Sequence, residues 1–160
     1  MTDVDEIYMQ RCLQLAKKGI NKVLTNPMVG CVITLPQQSS VLGHQILAEG
    51  FHKAFGQPHA EVCAIEKVSD HDCLKNATLY VNLEPCAHFG KTPPCAGLVA
   101  SFNFKRVVVG MKDPNPLVAG KGIDRLRKAG IEVVVNVLQT KCQELNRIFI
   151  VNQVKQHSII

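Results

Sequence analysis

The chain has no tryptophan, and aromatic residues make up only 5% of its 160 positions. A groove that grips nucleic acid by stacking bases on aromatic rings has little to be built from. Charge of one sign is also not concentrated anywhere. Eighteen Lys and Arg against 13 Asp and Glu leave a net charge of +5, and the basic residues are scattered. That balance suits an anionic small molecule and gives no footprint of nucleic acid. No apolar run is long enough for a signal peptide or a membrane span, and the first twenty residues carry Asp3, Asp5, Glu6, Arg11, Lys17 and Lys18. Seven cysteines, an odd number without repeating spacing, argue against a disulfide framework and for a reducing compartment. A cytoplasmic protein is therefore expected. Low-complexity stretches and internal repeats are lacking too. What remains is an ordinary globular composition, 46% hydrophobic and 19% charged, at a length that suits one domain.

Spacing predicts a helix from about Val4 to Lys18, with Met9, Cys12, Leu13, Ala16 and Ile20 on one apolar face. Thr2 suits its cap and Gly19 its end. A turn at Thr25-Asn26-Pro27 leads to a strand over Val29–Leu35. Residues 36–40 make a hairpin loop, and a second, antiparallel strand runs from Val41 to Glu49. Gly50, Gly56 and Pro58 break the chain before a helix over Ala60–Val68. Strands follow over Ala77–Asn82, Arg106–Met111 and Glu132–Val137. Between them lie a helix opened by Pro93 and Pro94 and ending near Ser101, and a helix over Gly120–Lys128 stopped by Gly130. A last helix begins near Thr140, with Leu138, Cys142, Leu145 and Phe149 on its buried face. Helices alternating with strands make the later strands parallel. The expected fold class is α/β: a three-layer α/β/α domain on a five-stranded mixed sheet.

The stretch Pro58-His59-Ala60-Glu61, read with Pro85-Cys86 and Cys95, carries the chemistry. One His and two Cys hold a Zn²⁺ ion with three protein ligands, which leaves a fourth position for water, as in a catalytic zinc site. Glu61 lies two residues past His59, near the metal but not needed as a ligand, where a carboxylate can carry protons. Zinc deaminases show H-x-E followed by P-C-x-x-C. Here the second half is stretched to Pro85-Cys86, eight residues, and Cys95. Singly these signals are weak: His-Ala-Glu occurs by chance, and two cysteines so spaced could be core thiols. Their conjunction is hard to get by accident, with His two before Glu at a helix start and a Pro-Cys after a strand, and the positive ends of helices favour thiolate at Cys86 and Cys95. Cys12, Cys31, Cys63, Cys73 and Cys142 fall on apolar faces or in unmatched positions and read as core or bystander thiols. A fourth ligand from Cys63 or His88 would make the zinc structural and leave Glu61 without a role.

Over nearly its whole length the chain resembles the deaminase domain of the bifunctional riboflavin biosynthesis enzymes, pyrimidine deaminase/reductases of the cytidine deaminase-like superfamily. The resemblance is carried by residues 25–32, by Pro58-His59-Ala60-Glu61-Val62, by residues 83–95 and by the run from Asp113 to Gly122 that begins Asp-Pro-Asn-Pro. The insert between the two cysteines and the Asp-Pro-Asn-Pro run set this family apart from other zinc deaminases. The resemblance implies zinc ligands His59, Cys86 and Cys95, Glu61 as proton shuttle, and a substrate pocket of Asn26, His52, His88, Lys91, Asp113 and Asn115. It implies hydrolytic deamination of 2,5-diamino-6-ribosylamino-4(3H)-pyrimidinone 5′-phosphate at its 2-amino group.

Each pocket residue alone has a plainer reading. Asp113 and Asn115 flank prolines and could simply build turns. His52 could be a surface histidine, and Lys91 a solvated one. Two departures concern the substrate side: position 87 is Ala where the family commonly has Ser, and the loop over residues 36–40 is longer than the usual tight hairpin. Family enzymes continue into a reductase domain. Residues 1–150 are read as the deaminase domain and residues 151–160 as a tail resembling the linker to that reductase. No nicotinamide site and no reductase activity are expected, whether the domain stands alone or was cut from a longer protein. Homo-oligomerisation is expected by analogy with zinc deaminases. Two rival readings stay open. One is a nucleoside or tRNA deaminase with the same metal chemistry. The other is a non-catalytic zinc domain that partners a separate reductase, in which Glu61 would be dispensable.

Overall fold

The computed structural model describes residues 3–87 and 94–156. Helix α1 (Asp3–Ala16) buries Met9, Cys12, Leu13 and Ala16 as its spacing requires. It tightens into a 3-10 turn over Lys17–Gly19. Ile20 then takes extended backbone, φ −56° and ψ 135°, so the helical period no longer carries it to the buried face. It is 58% exposed, contrary to the expectation from spacing. Thr2, the expected cap, lies outside the described residues.

Strand β1 (Gly30–Pro36) pairs antiparallel with β2 (His44–Phe51), from Gly30 opposite Phe51 to Pro36 opposite His44. The register slips between Ile33 and Thr34. The second strand thus begins at His44 rather than Val41, which is fully exposed. Residues 37–43 form the loop instead, closed by the Gln37 N–H donating to the Gly43 carbonyl at 2.8 Å. The sequence pattern overran here because Val41 and Leu42 have strand propensity but no partner strand opposite them.

Helix α2 (Ala60–Glu66) follows, then a 3-10 turn over His71–Asn76 that the sequence pattern did not mark. Strand β3 (Thr78–Val81) lies antiparallel to β1 and parallel to β4 (Arg106–Val109), which is parallel to β5 (Glu132–Val135). The order is β2-β1-β3-β4-β5, the five-stranded mixed sheet expected. Val107, Val108 and Val109 are all fully buried, the continuous apolar run of a strand covered on both faces. Helices α3 (Cys95–Ser101) and α4 (Lys121–Lys128) pack beside each other, with α2 next to α3. α1 covers the other face of β1, where Gly30 sits against the Cys12 backbone. The close approach of α2 to β2 depends on Gly50: a Cβ there would lie 2.6 Å from the Ala60 carbonyl oxygen and the Ala64 nitrogen. Any side chain at Gly50 would push away the helix start that carries His59 and Glu61.

The final segment is two helices, α5 (Gln139–Leu145) and α6 (Arg147–Gln156), not one. The break falls at Asn146, which is buried. Its side-chain amide donates to the Met28 carbonyl and accepts from the Met28 N–H, both at 2.8 Å. α6 spans residues on both sides of position 150.

At the opposite end of the sheet from these bonds, Asp5 of α1 accepts from the Tyr80 hydroxyl at 2.8 Å and from both terminal nitrogens of Arg106 at 2.8 and 2.5 Å. Asp5→Ala would leave the Tyr80 hydroxyl without its acceptor and the Arg106 guanidinium with only the more distant Glu132 carboxylate at 3.5 Å. A loss of about 2–4 kcal/mol in urea unfolding is expected. A loss under about 0.5 kcal/mol would class the pair with solvent-screened surface bridges.

Candidate metal centre and active site

The end of β3 and the starts of α2 and α3 meet at one point. His59 is the residue just before α2, with extended backbone at φ −70° and ψ 164°. Cys95 is the first residue of α3 and is buried. Cys86 lies in the irregular segment after β3 rather than at a helix start. Its sulfur nevertheless sits at one: the Cys95 N–H donates to Cys86 Sγ at 3.3 Å, and the Ala96 N–H donates to the Cys86 carbonyl at 2.9 Å. Cys86 therefore caps α3 twice, with amides that have no partner inside the helix.

The ligand atoms of His59, Cys86 and Cys95 all lie within 4.8 Å of one another, and His59 Nδ1 is 3.1 Å from Cys95 Sγ. Bonds of roughly 2.0–2.3 Å to one ion would gather such a set with little movement. Two sulfurs and an imidazole are the donors zinc favours. The Cys95 thiol beside Cys86 holds the Cys86 thiol well below its usual range, against the cost of burial and with help from His59. One sulfur is thus prepared as the thiolate that a metal takes.

Glu61, in the first turn of α2, is 4% exposed. Burial pushes its carboxyl up to about 7, while its own backbone N–H and the His59 ring oppose the rise. It lines a cavity of about 450 Å³ together with His59, Cys86, Asn26, His52, Asp113 and Asn115. Seven of the ten residues singled out in the sequence thus line one cavity. Cys95 is buried and is not among the lining residues. His88 and Lys91 lie outside the described residues.

His52 is 3% exposed and so is not the surface histidine its context allowed. Its Nδ1 lies 3.1 Å from the Pro58 carbonyl, which can only accept, so Nδ1 carries the proton. Nε2 is then an acceptor for the Asn26 side-chain amide at 3.0 Å. Burial lowers the His52 pKa and favours this neutral form. The Asn26 amide is oriented by this chain of bonds, with its oxygen left to accept. Asp113 and Asn115 do build turns, accepting from the Asn115 N–H at 2.8 Å and the Leu117 N–H at 2.9 Å respectively. They line the cavity as well, so the plain and the functional readings coexist.

Sequence reasoning missed Glu84, Phe149 and Gln153, which also line the cavity. Phe149 and Gln153 are four apart on α6 and so share one helix face, a signal legible only once α6 is separated from α5.

A His-Cys-Cys donor set with a buried carboxylate beside it, on a three-layer α/β/α sandwich, defines the class of zinc-dependent deaminases. Within that class, residues 2–111 match the family model for the cytidine and deoxycytidylate deaminase zinc-binding region, and the chain belongs to that family. It is 53% identical over 145 residues to riboflavin biosynthesis protein RibD of Synechocystis sp., covering 91% of this chain and 37% of that protein. It is 48% identical over 149 residues to the chloroplastic riboflavin biosynthesis protein PYRD of Zea mays, covering 92% of this chain and 36% of that one. The solved structure of Acinetobacter baumannii RibD is 44% identical and superposes with a TM-score of 0.84, over 94% of this chain and 40% of that one. The chain thus spans little more than a third of the curated relatives it matches. Among the described residues no helix is long and apolar enough to cross a membrane.

Proposed function

We propose that the chain hydrolyses the 2-amino group of 2,5-diamino-6-ribosylamino-4(3H)-pyrimidinone 5′-phosphate. Water enters, ammonia leaves, and the carbon that held the amine becomes a ring carbonyl in 5-amino-6-ribosylaminouracil 5′-phosphate. The observation that carries this reading is the buried Glu61 carboxylate facing the same cavity as His59 and Cys86. His59, Cys86 and Cys95 would hold the zinc, which when bound acidifies a water to a pKa of roughly 7. Glu61 takes a proton from the attacking water and gives it to a ring nitrogen, then takes the proton of the new hydroxyl and gives it to the departing amine. The Asn26 amide oxygen and Asn115 receive polar edges of the pyrimidine or ribose. His52 keeps Asn26 turned the right way. His88 and Lys91 are assigned to the phosphate or a ring carbonyl, and Asp113 to the same wall as Asn115. The match to riboflavin biosynthesis proteins over this stretch supports the choice of substrate.

A homo-oligomer, and a reductase acting next on the product, fit this reading. Seven cysteines, an odd number without repeating spacing, support a reducing, cytoplasmic setting. The test is ammonia release by zinc-loaded protein from the diaminopyrimidinone ribose phosphate, with cytidine and tRNA in parallel. Turnover of the first alone is expected. Release from cytidine or tRNA, with none from the first, would move the chain to the nucleoside or nucleic-acid branch of the superfamily.

A further inference from the structure

Glu84 is a buried carboxylate, 5% exposed, two residues before Cys86, and nothing above gives it a task. It has no ion pair among the described residues. Its charge is met instead by backbone amides. Oε1 accepts from the Asp113 N–H at 2.9 Å and the Gly120 N–H at 3.0 Å, and Oε2 accepts from the Ile123 N–H at 3.0 Å. Those donors are not a random set. Asp113 and Gly120 bound the segment that carries Asn115 and Val118 into the cavity, and Ile123 is in the first turn of α4. Gly120, the residue before α4, has φ 88° and no side chain to cap the helix. Glu84 supplies that cap from 36 residues away.

The other side of the joint is equally tight. A Cβ on Gly122 would lie 2.0 Å from the Pro85 carbonyl oxygen, so α4 rests directly on the backbone adjoining Cys86. Glu84 also donates its own N–H to the Met111 carbonyl at 2.9 Å, which anchors it at the end of β4. One side chain therefore joins the metal-bearing segment to the opposite wall of the cavity.

We propose that Glu84 is a positioning residue that sets the Asp113–Gly120 wall at a fixed distance from the Cys86 segment, so that Asn115 meets the substrate held at the metal. Its kinetic consequence rests on the deaminase reading above. A carboxylate is required because three N–H groups need acceptors on two oxygens. Glutamine has the same shape but offers one oxygen, so its NH₂ group would face at least one N–H donor. The wall would loosen while the fold and the metal ligands stay.

The experiment follows amide hydrogen exchange in the zinc-loaded chain, parent and Glu84→Gln, together with kcat and KM for the pyrimidine phosphate. Core amides of Leu79 and Val108 report global stability. Asp113, Gly120 and Ile123 should be protected in the parent. In the variant they should exchange at least about tenfold faster than the change in core amides explains. KM should rise roughly tenfold or more with kcat held within about threefold and zinc content unchanged. Three results would overturn the role. The loop amides of the parent could exchange as freely as an open loop, which needs no variant to see. Core and loop amides could speed up together. KM could stay put while only the melting temperature falls. If the parent turns over no pyrimidine phosphate, it is the substrate reading that fails, and the exchange pattern alone still decides whether Glu84 holds the wall.

Discussion

Glu61→Gln is expected to keep its zinc and lose deamination by about 10²–10⁴-fold, the usual contribution of a positioned proton carrier. The substitution changes almost nothing else. Gln fills the same volume in a position that is 4% exposed, and the ligands His59, Cys86 and Cys95 keep their places. What is lost is a group able to hold a proton and release it again. Burial pushes the Glu61 carboxyl up to about 7 in the metal-free chain, far above an exposed glutamate. A nearby divalent cation pulls it back down, since an opposite charge favours the ionised form. The two effects oppose each other, and in either state the carboxyl can take up a proton and release it. Amide nitrogen has no such range. The check is steady-state ammonia release beside metal analysis of the same samples. A loss smaller than about tenfold at full zinc occupancy would make Glu61 dispensable. The reading of a non-catalytic zinc domain would then take the place of the deaminase one.

The sheet and the grouping of His59, Cys86 and Cys95 were legible in the sequence because both are written locally. Alternating apolar strands and amphipathic helices show their period within a few residues, and the His-Ala-Glu and Pro-Cys segments carry their own chemistry. The misreadings sit where distant contacts decide. Leu138, Cys142, Leu145 and Phe149 keep a helical period straight through Asn146, yet the helix breaks there because the Asn146 amide is bonded to Met28, 118 residues away. Val41 has strand propensity, but the strand that would pair with it does not extend that far. Ile20 fits the face of α1 by count and loses it to a 3-10 turn. The same logic hid Glu84, whose three partners lie 29 to 39 residues ahead. It also blurred His52, whose burial and tautomer follow from Pro58 and Asn26 closing around it.

Cysteine offers the second large effect, because the seven thiols divide into two kinds that one assay separates. Cys95→Ala should abolish stoichiometric zinc binding and lower the melting temperature by about 10 °C in buffer with zinc in excess. The reasoning is one of linkage: an ion that binds only the folded chain adds stability in proportion to the logarithm of its excess over the dissociation constant. Cys95 is buried at the first turn of α3, and its Sγ lies 3.1 Å from His59 Nδ1 at the start of α2. Without its sulfur, His59 and Cys86 are two ligands with no third. Chelation of the parent should reproduce the variant's melting temperature, and adding chelator to the variant should change nothing further. Cys142→Ala is the counterpart. Its thiol is fully buried, pushed up to about 12 by desolvation, and outside the cluster of His59, Cys86 and Cys95. Losing it leaves a small cavity, worth about 1–2 kcal/mol and a few degrees, with zinc content intact. Equal zinc loss in both variants would mean that the metal answers to the packing of the whole domain rather than to three named side chains. Retention of zinc by Cys95→Ala would remove Cys95 from the ligand set and leave the three-ligand centre read from the sequence without its third donor.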